Sequence, residues 1–404
     1  MREIATVDVS PEEIAAFFEQ PSYEAAQAGG KHLPGATATL LESNPRHIHV
    51  LDGFLQQPQA AQLRGVFDER FSKPREGTAE RFVWDWWHVP EQYTLMRTPA
   101  EEYFGPEYTL MRTPAEEYFG PEYTLMRTPA EEYFGPEYTL MRTPAEEYFG
   151  PEGFEALTAA LCKFGQEQLG CRAISPPWLS VYIDGCEQRF HTDAWHGPWA
   201  FVLSLTDWDG KDFTGGETQI LKPHVLNYWN SFAPGIGLEE KHFLDTIEPH
   251  FNRLTLFDPR FPHGVKPVRG TRDPRKGRLV LHGWFTDPQP YFSGGLSEEE
   301  ATEALNRAME ASGPALAAAE GGRVTGTLTV RLHVSGADGS VRAVSALTDT
   351  LVADPTDLAY DEEGDPIDAR AEAMLIIHEA LGGADFPCSA SGEDTFITVP
   401  YAFE

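Results

Sequence analysis

The chain has 404 residues, 31 basic and 63 acidic, for a formal net charge of −32, and 41% of it is hydrophobic. That length supports two or three domains with cores of their own. The acidity reads first as solubility and argues against a basic face for nucleic acid or anionic membrane, and no apolar run is long enough to span a bilayer. The start Met1-Arg2-Glu3-Ile4-Ala5 lacks a signal-peptide core, and Cys162, Cys171, Cys186 and Cys388 show no Cys-x-x-Cys spacing, so they read as reduced thiols of a cytoplasmic protein.

Residues 1–44 read as a helical lead-in, with Ser10 as N-cap, Pro11 at the first helical position and Glu13 at N3. His49–Leu55 reads as a strand and turn before a helix over 57–71. A tandem repeat follows, with 15-residue copies at 92–106, 107–121, 122–136 and 137–151 that differ only in Gln92, which is Glu in the later copies. Each unit begins extended, as Tyr93–Met96. Thr98 as N-cap, Pro99 at N1, Glu101 at N3 and Gly105 as the stop then predict a short helix, Pro99–Phe104. Fifteen residues cannot bury a core alone, so the copies are either a tolerated loop expansion or a stacked, partner-binding arm.

Next come apolar strands at Leu179–Gly185 and Phe201–Leu205, the turn and strand entry Gly215-Gly216-Glu217-Thr218, Asn252–Phe257 running into Phe261–Val265, and Arg278–Phe285. They predict a mainly β core with flanking helices. His191-Thr192-Asp193 lies among them. Residues i and i+2 of a strand share a face, so His191 and Asp193 aim at one point, and His263 supplies a third ligand from a neighbouring strand. Two histidines and a carboxylate form the facial triad of non-haem Fe(II) sites. Alternation places Arg278, Val280, His282 and Trp284 on one face. His196, His224, His242, His250 and His282 lack ligand spacing, and Trp195, Trp199 and Trp208 read as packing around the triad. A zinc hydrolase would use the same ligand types, but it would not need Arg278 or the Gly-Gly-Glu entry.

The order of these elements resembles the catalytic core of the 2-oxoglutarate- and Fe(II)-dependent dioxygenases, in their prolyl-hydroxylase-like branch, over residues ~45–290. The resemblance implies a double-stranded β-helix (jelly-roll) domain over 45–295 with Fe(II) on His191, Asp193 and His263. It implies 2-oxoglutarate and O2 at the open metal positions, with ascorbate as a candidate accessory reductant. The far carboxylate of 2-oxoglutarate needs a cation with planar, bidentate geometry. Arg278 is the choice, with Tyr182 also contacting the cosubstrate. The interval from His263 to Arg278 is longer than usual for the family and makes Arg269, Arg272 and Arg275 competitors. Asp193 occupies the position that related halogenases leave vacant, which implies hydroxylation. The implied substrate is a protein or peptide, with peptidyl proline leading, and the repeats would lie near the site's mouth. Their Pro99, Pro114, Pro129 and Pro144 add a third reading of the repeat, a substrate carried in cis.

Residues 296–322 read as a helical linker and 323–404 as a small α+β domain. Its expected order is Val324–Val334, a turn at Gly336–Gly339, Val341–Leu351, a helix over Asp368–Leu381 and a strand over Phe396–Phe403. This order resembles the C-terminal domain of TonB-like proteins, which implies protein contact through a sheet edge. The rival to an enzyme is therefore a non-catalytic interaction scaffold that uses the repeats and this domain. Nothing in the sequence bears on oligomeric state.

Overall fold

The computed structural model describes residues 47–72, 138–223, 225, 239–271, 273–320, 323–354 and 367–403. The expected lead-in and the first three repeat copies lie outside the described residues. The chain enters through β1 (Ile48–Asp52) and α1 (Gln57–Ser72). Then come β2 (Tyr138–Thr139), β3 (Met141–Pro144), α2 (Ala145–Phe164), a π-helical turn (Gly165–Leu169) and β4 (Cys171–Ile174). The central strands are β5 (Trp178–Tyr182), β6 (Glu187–His191), β7 (Trp199–Ser204) and β8 (Thr218–Leu221). After α3 (Glu240–Phe243) come β9 (Leu244–Ile247), β10 (Arg253–Phe257), β11 (His263–Val265) and β12 (Arg278–Pro288). The last part holds β13 (Tyr291–Gly294), α4 (Glu298–Glu320), β14 (Val324–Val334), β15 (Val341–Asp349), β16 (Val352–Ala353), α5 (Ala369–Gly382) and β17 (Thr395–Phe403).

Three antiparallel sheets result. The largest runs β1-β10-β7-β12-β5-β3, with β4 also on β12, and the second runs β2-β6-β11-β8-β9. Alternation divides the central strands of the large sheet. Phe201 and Leu203 of β7 and Leu279, Leu281 and Phe285 of β12 join a core with Leu63 and Phe67 of α1 and Leu157 and Leu161 of α2. The opposite face of β12, with Arg278, Val280, His282 and Trp284, lines a cavity shared with the second sheet. The expected pattern of β12 is thus observed. No helix among the described residues is long and apolar enough to cross a membrane.

The last repeat copy shows what one unit does. Tyr138 pairs with Gln188 on β6, and Met141 pairs with Val181 on β5, so one short stretch edges both sheets. Leu140, Ala145 and Tyr148 are buried in the main core. The unit is an extended stretch plus a short helix, as its signals predict. The helix starts one residue late, because Pro144 stays extended (φ −57°, ψ 130°) in register with Trp178. Gly150, at φ 73° and ψ 175°, breaks the helix after Phe149, and Pro151 restarts it.

The third sheet runs β13-β17-β14-β15, with β16 on β14. Because β13 pairs with β17, this unit begins before the expected boundary at 295. The expected linker is a helix, α4, but Ala301, Ala304 and Leu305 bury its face in a second core with Leu328, Val330, Met374, Ile377 and Val399. The unit is docked on the π-helical turn. Thr329 Oγ1 donates to the Leu169 carbonyl and Thr398 Oγ1 to the Glu167 carbonyl, each at 3.1 Å. Gly170 closes that turn at φ +63°, where a Cβ would lie 2.7 Å from Pro400 Cδ. Only glycine satisfies both the left-handed backbone and the close approach.

Candidate metal centre and active site

β6 and β11 build the metal end of the cavity. His191 pairs with His263, but Gln188 pairs with Val265, so β6 spends one residue more than its partner over the same interval. This is a β-bulge. It reverses the alternation, so Gln188 and His191, three apart, come together: the Gln188 amide nitrogen lies 3.1 Å from His191 Nε2. Phe190 is turned outward and is 45% exposed. Gly264 lets the strands close up, because a Cβ there would sit 2.6 Å from the Gln188 carbonyl oxygen.

Asp193 corrects the simple strand argument. β6 ends at His191, and Asp193 precedes a 3-10 turn over Ala194–His196. Two backbone bonds place it, Asp193 N–H to the Pro259 carbonyl at 2.9 Å and His196 N–H to the Asp193 carbonyl at 3.0 Å. The three expected ligands still converge. Asp193 Oδ2 is 3.6 Å from His191 Nε2 and 3.5 Å from His263 Nε2, and one ligand atom from each residue lies within 4.8 Å of the others. His191 Nδ1 is 2.7 Å from the Arg189 carbonyl and His263 Nδ1 is 3.0 Å from the Phe261 carbonyl. A proton on each Nδ1 satisfies those carbonyls and turns each Nε2 lone pair inward, the tautomer that second-shell carbonyls set for metal-ligating histidines. Burial raises the Asp193 pKa, but hydrogen bonds and charge from His191 and His263 in their doubly protonated form lower it by more, so the carboxyl is ionised; a divalent cation would take the place of those two Nε2 protons. The donor set fits a divalent cation.

The other end holds a cation. Arg278 begins β12 opposite Tyr182 and is 1% exposed. Its Nη2 donates to Thr218 Oγ1 at 3.0 Å, and its Cζ lies 4.6 Å from the Tyr182 ring centre. Nε and Nη1 have no hydrogen-bond partner among the described residues. Burial lowers the Arg278 pKa, with Tyr182 and Glu217 opposing, yet a guanidinium stays charged. A buried guanidinium with unmet donors fits a carboxylate ligand. The Tyr182 hydroxyl, its pKa raised by burial, donates to Gln188 Oε1 at 3.2 Å and so joins the two ends.

Val202, Phe257, Val265 and Val280 form apolar walls between them. His282 lies 2.8 Å from Ser180 Oγ; burial, then Arg142 and Arg278, push its pKa down to about 3, so it is neutral. Arg142, from the last repeat copy, lies 4.3 Å over the Trp178 ring.

The two competing arginines among the described residues do not join this group. Arg269 is exposed, Arg275 pairs with Asp273 at 2.7 Å, and Arg272 lies outside the described residues. His250 pairs with Glu248, and His242 caps α3. Of the tryptophans expected to pack around the triad, Trp199 is in the main core and Trp208 packs on Phe213; Trp284, expected on the Arg278 face of β12, lines the cavity with His196 stacked on it at 4.2 Å. Gln188 is not legible in the sequence as a site residue, because nothing local marks a bulge. Thr218 is legible there only as a strand entry, although the adjacent Gly215-Gly216 pair signals a backbone bend beside a site.

Residues 177–286 match the family described as the 2OG-Fe(II) oxygenase superfamily. No curated protein matches the chain. Among solved structures, a Pseudomonas putida prolyl-4-hydroxylase is 17% identical, with 63% of this chain and 98% of that one covered and a TM-score of 0.31. A Trichoplax adhaerens prolyl hydroxylase in complex with a peptide of the hypoxia inducible factor oxygen degradation domain is 14% identical, covering 69% and 94%, with a TM-score of 0.32. The non-heme alpha ketoglutarate dependent epimerase SnoN from nogalamycin biosynthesis is 11% identical, covering 61% and 78%, with a TM-score of 0.33. The matched segment, which contains the histidine–aspartate–histidine group, belongs to the 2OG-Fe(II) oxygenase superfamily, with Fe(II), 2-oxoglutarate and O2 as its metal and cosubstrates.

Proposed function

We propose that the protein is a 2-oxoglutarate-dependent dioxygenase of double-stranded β-helix fold that hydroxylates an unactivated C–H bond, with a prolyl residue of a peptide or protein as the substrate. The observation that carries the dioxygenase reading is one cavity lined at one end by Asp193 and His263, which with His191 form the donor set, and at the other by Arg278, a buried arginine with donors unmet among the described residues. The prolyl assignment rests on the resemblance of the motif order to the prolyl-hydroxylase-like branch.

The bound metal, with 2-oxoglutarate and O2, supplies the oxidising power, and 2-oxoglutarate leaves as succinate and CO2. The chain's own residues do the rest. His191, Asp193 and His263 would hold the metal. Arg278 offers Nε and Nη1 to the far carboxylate of 2-oxoglutarate, and Thr218 fixes the guanidinium plane through Nη2. Tyr182 stacks under that guanidinium and directs its hydroxyl toward Gln188, which holds the ring in place beside Arg278. Val280, Val265 and Phe257 exclude water from the reacting centre. His282, being neutral, adds no charge to compete for the carboxylate.

The test is succinate formation from 2-oxoglutarate with Fe(II) and O2, in wild type and His191→Ala, with and without proline-containing peptides. Turnover lost in the variant, and raised by a proline peptide that gains one oxygen atom, is the expected result. If wild type neither turns over nor binds 2-oxoglutarate with metal present, the interaction-scaffold reading replaces this one. Turnover that no proline peptide stimulates would keep the oxygenase and remove the prolyl assignment.

A further inference from the structure

The turn Asp258–Pro262 between β10 and β11 supports the metal ligands through its backbone. The Pro259 carbonyl accepts the Asp193 N–H at 2.9 Å, and the Phe261 carbonyl accepts from His263 Nδ1 at 3.0 Å. The Pro262 carbonyl accepts the Leu221 N–H of β8 at 2.8 Å. What shapes the turn is the Asp258 carboxylate, which is fully buried. Its oxygens accept from the Arg260 backbone N–H at 3.0 Å, from Arg260 Nε at 2.9 Å and from Arg260 Nη2.

The same guanidinium also reaches the C-terminal unit. Nη1 donates to the Phe403 carbonyl at 3.3 Å, at the end of β17, and Nη2 lies 3.5 Å from Thr350 Oγ1, between β15 and β16. Beside it Phe261 packs with Ala200, Ile220, Ile247 and Phe257, and Val352 of β16 packs against that cluster. One arginine therefore touches the turn that carries the metal site and two points of the second core's sheet. A lysine there would keep the charge but not the planar fork that makes these contacts at once.

We propose that Arg260 is a positioning residue through which the C-terminal unit sets the metal ligands, so that metal binding and the end of β17 stabilise each other. The proposal rests on the metal reading of His191, Asp193 and His263. Outer partners of metal ligands change affinity by roughly 10–100-fold, and coupling of this kind is reciprocal.

The experiment uses the full chain and Mn(II) alone. Backbone hydrogen exchange is followed by mass spectrometry with and without the metal, and Mn(II) affinity is measured for wild type and Arg260→Lys. Mn(II) is expected to slow exchange in 395–403 and 349–353 as well as at the ligand strands, with helix α5 as an unaffected internal reference. Arg260→Lys is expected to weaken Mn(II) binding about tenfold and to erase the slowing in 395–403. Mn(II) binding with no slowing in 395–403, or with equal slowing in α5, overturns the coupling while leaving the metal site standing. Failure of wild type to bind Mn(II) overturns the metal reading itself. The wild-type exchange measurement needs no variant, so it decides the matter even if Arg260→Lys does not fold.

Discussion

At the metal end of the cavity both ring Nδ1 atoms already rest on backbone carbonyls, whereas at the other end Arg278 is buried with two nitrogens unmatched among the described residues. The two ends therefore store different things. The metal end is organised before any ligand arrives, because each histidine is aimed by its own strand and Asp193 is pinned to Pro259. The cosubstrate end carries an electrostatic cost that only an anion relieves. Both designs favour tight, oriented binding, but they should respond in opposite ways to removal of the central side chain.

That contrast gives the largest expected effect. Asp193→Ala should abolish detectable turnover and weaken Mn(II) binding by at least about 100-fold, at the upper end of the effect of disturbing a metal site. It also leaves His191 and His263 facing each other without a carboxylate. Arg278→Met should raise the 2-oxoglutarate concentration needed for half-maximal turnover by about 100-fold or more, the loss of roughly 3 kcal/mol for a charge-assisted contact. The same variant should not lower the melting temperature, since an isolated buried charge is replaced by an apolar side chain of similar length. Steady-state kinetics and thermal denaturation of the two variants check both halves. A marked loss of stability in Arg278→Met would show that the guanidinium is a structural pillar and would remove the contrast.

The two ends also differed in how far the sequence reveals them. Arg278, Val280, His282 and Trp284 were readable because β12 is a regular strand, and period-two alternation needs no tertiary knowledge. Tyr182 was legible only through the family resemblance. His191 and His263 were readable as ligands, but strand alternation is not what places Asp193. It leaves β6 and is held by a turn 66 residues away in sequence, from Asp193 to Pro259, which no local pattern announces. Gln188 was hidden for a related reason. The bulge that turns it inward exists only as a mismatch between β6 and β11, a property of pairing and not of either strand alone. In the C-terminal unit, hairpin and helix signals were local and legible. The role of α4 was not, because an Ala-rich helix looks the same whether it connects or packs.

The bulge also carries a prediction of intermediate size. Gly264→Ala places a methyl group 2.6 Å from the Gln188 carbonyl oxygen, a separation that backbone on both sides resists. The pair must spread, which should cost about 1–3 kcal/mol by overpacking and move His263 relative to His191. Urea denaturation should report the stability loss, and Mn(II) affinity should fall with it. An unchanged affinity in the destabilised variant would mean that the ligand positions are set by the Asp258–Pro262 turn without help from strand spacing.

The smallest effect concerns His282, which stands between the two ends. Its pKa in the folded protein is about 3, driven down first by burial and then by the charges of Arg142 and Arg278. In the unfolded chain it returns to roughly 6.5. A folded pKa below the unfolded one means that the unfolded state binds the extra proton between those two values. Stability is then lost as pH falls below about 6.5, and above that pH both states are neutral and nothing changes. At pH 5 the loss from this one group is about 1–2 kcal/mol, after allowing for its exposure to cavity water. His282→Asn should therefore be equal or lower in stability than wild type at pH 7, yet lose about that much less between pH 7 and pH 5. Urea midpoints at the two pH values give the difference directly. Parallel losses in the two proteins would mean that His282 takes up a proton in the folded state. It would then share the anion-binding role assigned here to Arg278 alone.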